Sequence, residues 1–97
     1  MTTSFTVETT THFERLLNKL VPRHPELTGN YRAALTILES DPYNRQRQHN
    51  IKKLENVAAG DGQYRLRIGR WRFRYDISGQ TVILKRVSLR REDTYRN

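Results

Sequence analysis

The 97-residue sequence predicts a small α+β domain of order βααβββ, a mainly antiparallel four-stranded sheet packed against a helical hairpin. Three observations carry this. Residues 64–77, YRLRIGRWRFRYDI, alternate apolar and charged residues around a Gly-Arg pair, the pattern of two half-buried strands joined by a tight turn. Residues 13–21 and 31–38 repeat apolar residues at helical spacing. The length suits one domain, residues 1–97, with a modest core.

In chain order, Ser4 to Thr9 (SFTVET) is short, β-branched and alternating, and is read as a strand. Thr11-His12-Phe13-Glu14 fits a capping box with Thr11 as N-cap and Glu14 reaching back. Phe13, Leu16, Leu17, Leu20 and Val21 form the apolar stripe of the helix that follows, which Pro22 ends. A second helix starts near Pro25, with Gly29-Asn30 as a break in its first turn. Its stripe is Tyr31, Ala34, Leu35 and Leu38, and Ser40-Asp41-Pro42 stops it. Tyr43 to Gln63 reads as a loop, with Ile51-Lys52-Lys53-Leu54 as a short extended piece and Ala59-Gly60-Asp61-Gly62 as a turn.

In the hairpin, Gly69-Arg70 suits a type II′ turn. Ile68 then faces Trp71, Leu66 faces Phe73 and Tyr64 faces Tyr75, all on one face. On the other face Arg67 meets Arg72 and Arg65 meets Arg74. Ser78-Gly79-Gln80 turns the chain into a last strand, Thr81 to Leu89, and Arg90 to Arg96 form a charged tail.

Like charges opposite each other on neighbouring strands are destabilising. Four facing arginines therefore point to a partner that supplies negative charge. The planar guanidinium fork suits phosphate because it donates two hydrogen bonds at once. A solvated face would mix Lys and Glu with Arg. The formal net charge is +8 and is localised: residues 1–63 carry eight Lys/Arg against seven Asp/Glu, and residues 64–97 carry ten against three. This is the distribution of an anion-binding surface.

Other chemistries lack their residues. There is no cysteine, so neither a disulfide framework nor a thiolate metal site is available. His12, His24 and His49 have no metal-ligand spacing and are read as solvated. No P-loop, dinucleotide-binding glycine pattern or GxSxG nucleophile motif occurs, and no stretch is apolar enough to span a membrane. A soluble cytoplasmic protein without membrane partner, metal or small-molecule cofactor is the expectation. Cleaving a phosphodiester without metal requires cations on the phosphate, an acceptor for the 2′-hydroxyl proton and a donor for the leaving oxygen.

Strand, two helices, Lys52-Lys53-Leu54, residues 64–77, a further strand and a terminal RREDTYR together resemble the RelE/ParE toxin superfamily of bacterial toxin–antitoxin systems, over essentially the whole chain. The resemblance implies a type II toxin that cleaves ribosome-bound mRNA by attack of the 2′-hydroxyl, leaving a cyclic phosphate. It also implies a cognate antitoxin whose C-terminal segment wraps the toxin. By the same resemblance the catalytic set is Arg65 and Arg67 on the second strand, Arg72 on the third, Arg90 or Arg91, and Tyr95. Lys52, Lys53, Arg70, Arg74 and Arg86 are the accompanying RNA-binding cations. The family's best-characterised members carry lysine where Arg65 and Arg67 stand. Arginine does not release its proton, so Tyr95 or an ordered water would have to act as base. Gyrase-binding toxins of the ParE kind share the fold, and the basic face alone would also suit a non-catalytic nucleic-acid-binding module.

Overall fold

A computed structural model describes residues 4–89. The elements are β1 (Thr6–Thr9), α1 (Thr11–Leu20), α2 (Glu26–Ser40), β2 (Ile51–Lys53), β3 (Tyr64–Ile68), β4 (Trp71–Ser78) and β5 (Thr81–Leu89). They form one mixed sheet in the order β1-β5-β4-β3-β2. Every neighbouring pair is antiparallel except β1 and β5, which run parallel.

The expected four-stranded sheet is thus five-stranded, and the order is βααββββ. The added strand is β2, which pairs Ile51 with Leu66, Lys52 with Arg65 and Lys53 with Tyr64. Three residues are too few to display a period, so pairing rather than pattern defines this strand.

The hairpin register is the expected one: Tyr64↔Tyr75, Arg65↔Arg74, Leu66↔Phe73, Arg67↔Arg72 and Ile68↔Trp71. Gly69 has φ of +59° and Arg70 is not among the positive-φ residues, which fits the type II′ turn. In β5 the apolar positions change phase, from Val82 and Leu84 to Val87 and Leu89. A bulge accommodates the change: Tyr75 pairs with Leu84 but Arg74 with Arg86, leaving Lys85 as the extra residue. Val87 and Leu89 thereby stay on the core face, and Arg86 joins the arginine face.

Both helices cover the apolar face. Phe13 of α1 and Leu27, Ala34 and Leu38 of α2 share one buried cluster with Leu66, Trp71, Phe73, Tyr75, Val82, Leu84 and Val87. Phe13 and Tyr31 bring the helices together, ring centroids 5.7 Å apart. Two helix details depart from expectation. The N-cap of α1 is Thr10, whose hydroxyl accepts from the Phe13 amide at 3.0 Å, while Glu14 takes the Thr9 hydroxyl. One residue's shift brings the threonine oxygen onto the third amide of the helix, the usual capping distance. Gly29-Asn30 does not break α2, which runs unbroken from Glu26, because burying Leu27 outweighs the roughly 1 kcal/mol cost of one helical glycine.

Candidate nucleic-acid interface

The sheet assembles its cations in rows. Lys52, Arg65, Arg74 and Arg86 are successive ladder partners across four strands. With neighbouring strands about 4.8 Å apart, four positive charges start within about 15 Å. A second, shorter row joins Arg67, Arg72 and Ser88. Arg65, Arg67, Arg72 and Arg74 are half-buried, and Lys52 and Arg86 are exposed.

One end of this face is fastened by the loop before β3. The buried carboxylate of Asp76 accepts from the amides of Gly62 and Gln63, both at 2.9 Å. In return Arg74 donates from Nε to the Gly62 carbonyl at 2.7 Å and from Nη2 to the Asp61 carbonyl at 3.0 Å. Gly62 is required twice over: its φ is +82°, and a Cβ there would lie 3.0 Å from the Arg74 Cβ. Arg74 is therefore a loop anchor that also belongs to the cationic row.

Arg65, Arg72, Arg74 and Arg86 line one open groove of about 450 Å³, with His12 of α1 and Leu54 on its walls. His12 also lines a smaller adjoining recess with Asp61, Lys85 and Arg86. The sequence offers no reason to place His12 here, since an isolated histidine in the first turn of a helix carries no signal. The packing of α1 beside β5 brings it to the arginines. It is the one imidazole on the groove wall among the described residues and, unlike arginine, can exchange a proton. His24 instead packs against Trp71, ring centroids 5.2 Å apart.

The remaining predicted residues fall elsewhere. Arg67 shares the face without lining the groove. Arg70 sits in the exposed hairpin turn, 3.8 Å from the Glu26 carboxylate. Lys53 is on the opposite side of the sheet, its Nζ 5.8 Å from the Tyr64 ring centroid. Arg90, Arg91 and Tyr95 lie outside the described residues. No group of three or more His, Cys, Asp or Glu among the described residues could hold a metal ion. No helix among them is long and apolar enough to cross a membrane.

Behind the cations, Tyr75 is fully buried and donates its hydroxyl to the Pro42 carbonyl at 2.7 Å. Burial, reinforced by Tyr64 and Asp41, pushes its phenol above the ordinary range. Tyr64 stacks on Tyr75 at 5.5 Å and is raised by burial first, then by Tyr43 and Asp76. These phenols stay protonated and serve packing.

No family model matches the chain, and no curated protein does. Solved structures do. The chain is 30% identical to a chain of the RelBE2 toxin–antitoxin complex from Mycobacterium tuberculosis, covering 90% of this chain and 99% of that one with a TM-score of 0.58. The chain belongs with the components of RelBE-type toxin–antitoxin systems. A RelB–RelE antitoxin–toxin complex from Methanococcus jannaschii is also similar, at 19% identity over 84% of this chain and 88% of that one, with a TM-score of 0.49. In this toxin–antitoxin component the most concentrated surface chemistry is the arginine groove on the open face of the sheet.

Proposed function

We propose that the chain is the toxin of its pair, a RelE-like, ribosome-dependent mRNA endoribonuclease of the cytoplasm that works without a metal and is neutralised by a cognate antitoxin. The observation that carries this reading is the convergence of Arg65, Arg72, Arg74 and Arg86 on one open groove, with Arg67 beside them. Phosphate binding offsets the like-charge repulsion between these rows.

In the proposed reaction Arg65 and Arg72 hold the scissile phosphate. The 2′-oxygen attacks phosphorus, the bond to the 5′-oxygen breaks, and a 2′,3′-cyclic phosphate and a 5′-hydroxyl result. Charge grows on the phosphoryl oxygens as the reaction proceeds, and fixed guanidinium donors stabilise it. Arginine cannot take the 2′-hydroxyl proton, so that role falls to Tyr95, an ordered water or His12. The same group once protonated, or a water, hands a proton to the 5′-oxygen as its bond to phosphorus breaks. Lys52, Arg74 and Arg86 extend the cationic track along the RNA.

Messenger RNA incubated with the purified protein should be cut when ribosomes are present and remain intact without them. Arg72→Gln should melt at or slightly above the temperature of the unaltered protein, most clearly at low salt. It should lose about a hundredfold in cleavage rate, the usual effect of removing one such donor. Gyrase-dependent DNA breaks with intact mRNA would replace this reading with a gyrase-binding toxin. Binding of RNA with neither effect would leave a simple binding module.

A further inference from the structure

The loop from Asp41 to Asn50 is built with more care than a connection needs. The Asp41 carboxylate accepts from the amides of Arg45 at 2.8 Å and Gln46 at 3.1 Å. The Asn44 side chain binds the backbone of His49 in both directions, at 2.9 and 3.1 Å. Asn44 and Arg47 both hold positive φ, near +57° and +58°. The Pro42 carbonyl is pinned by the Tyr75 hydroxyl.

What this fixed loop presents is an aromatic ring among cations. Tyr43 is 40% exposed, the large apolar side chain that stands out on the surface among the described residues. Its ring meets Phe5 at 6.1 Å and Tyr64 at 5.9 Å, both in T-shaped contacts. The Arg45 guanidinium lies 5.2 Å from the Tyr43 centroid and the Lys53 ammonium 5.8 Å from the Tyr64 centroid. Arg45 and Arg47 are exposed.

The platform adjoins the arginine face across a sheet edge. β2 is an edge strand. Its successive residues point to opposite sides, Lys52 beside Arg65 and Lys53 beside Tyr64. Cations therefore continue around the edge, from the arginine row to the aromatic platform.

We propose that Tyr43, Arg45, Arg47 and Lys53 form a second binding surface for single-stranded RNA, separate from the groove. A base takes the place of the Arg45 guanidinium over the Tyr43 ring. Arg45 and the other cations take the flanking phosphates, and Lys52 and Lys53 guide the strand over the β2 edge. Stacking of this kind needs an unpaired base and tolerates any sequence. A duplex would offer only its phosphates. The proposal rests on the functional reading above for the class of ligand alone, since the platform requires no cleavage.

Fluorescence anisotropy with a labelled oligouridylate, and with an RNA duplex as comparison, tests it. Tyr43→Leu keeps apolar bulk and removes the π face; it should bind the single strand about tenfold more weakly, within the range for one stacked base. Tyr43→Phe should bind as the unaltered protein does. Arg45→Gln with Arg47→Gln should flatten the salt dependence by about 0.7 logarithmic units for each phosphate no longer neutralised. Melting curves show that each variant folds. Unchanged single-strand affinity in Tyr43→Leu, or an equal weakening on the duplex, overturns the platform. So does weakened antitoxin binding with unaltered RNA affinity, which would make the patch a protein interface. Arg72→Gln separates the two readings: a platform variant that binds normally while Arg72→Gln loses cleavage defeats only the platform. Tyr43-dependent binding by a protein that never cleaves mRNA defeats only the nuclease.

Discussion

The two faces of the β3–β4 hairpin come from the same alternating residues and are stabilised in opposite ways. On one face Leu66, Trp71, Phe73 and Tyr75 are at most 1% exposed and are completed by α1, α2 and β5. Every neighbour there adds favourable burial. On the other face Arg65, Arg67, Arg72 and Arg74 oppose like charges, and each added cation raises the cost. The protein meets that cost visibly at one end, where Asp61 and Gly62 carbonyls receive Arg74 and Asp76 holds the same loop. The apolar face makes the fold, and the charged face is carried by it.

Cutting into the apolar face should have the largest effect. Phe73→Ala should lose roughly 3–5 kcal/mol of stability, as large-to-alanine changes in a packed core do. Urea unfolding should show a much lower midpoint. A small shift would mean that the helices, not the hairpin, hold the core.

Next in size is the fastening of the charged face. Asp76→Ala leaves the Gly62 and Gln63 amides without their acceptor and should cost about 2 kcal/mol. Hydrogen exchange should quicken at those two amides while β4 and β5 keep their protection. Global unfolding at the same rate everywhere would show that the loop is integral to the core.

The smallest effect has the opposite sign. Arg67→Gln removes one like-charge pair with Arg72 and should stabilise the free protein by a few tenths to about 1 kcal/mol. The gain should shrink as salt screens the repulsion, which melts at two ionic strengths would reveal. Destabilisation at low salt would mean that Arg67 is held by favourable interactions stronger than the repulsion.

Much of this was written into the chain locally. The hairpin register follows from period two and Gly69, because a one-residue slip would expose every apolar side chain. The helix stripes and the concentration of charge after residue 63 are equally local. Local patterning thus fixes which residues share a face, and the folded arrangement of distant segments fixes what each face meets. The three-residue β2 exists only because Ile51 pairs with Leu66. Arg74 became an anchor because Gly62, twelve residues away, has no side chain to block it. His12 reached the groove, and Tyr43 the ring of Tyr64 in β3, through packing between segments far apart in the chain. Periodicity reports the side on which a residue lies; only the closing of distant segments on one another determines its neighbours, and chemistry depends on neighbours.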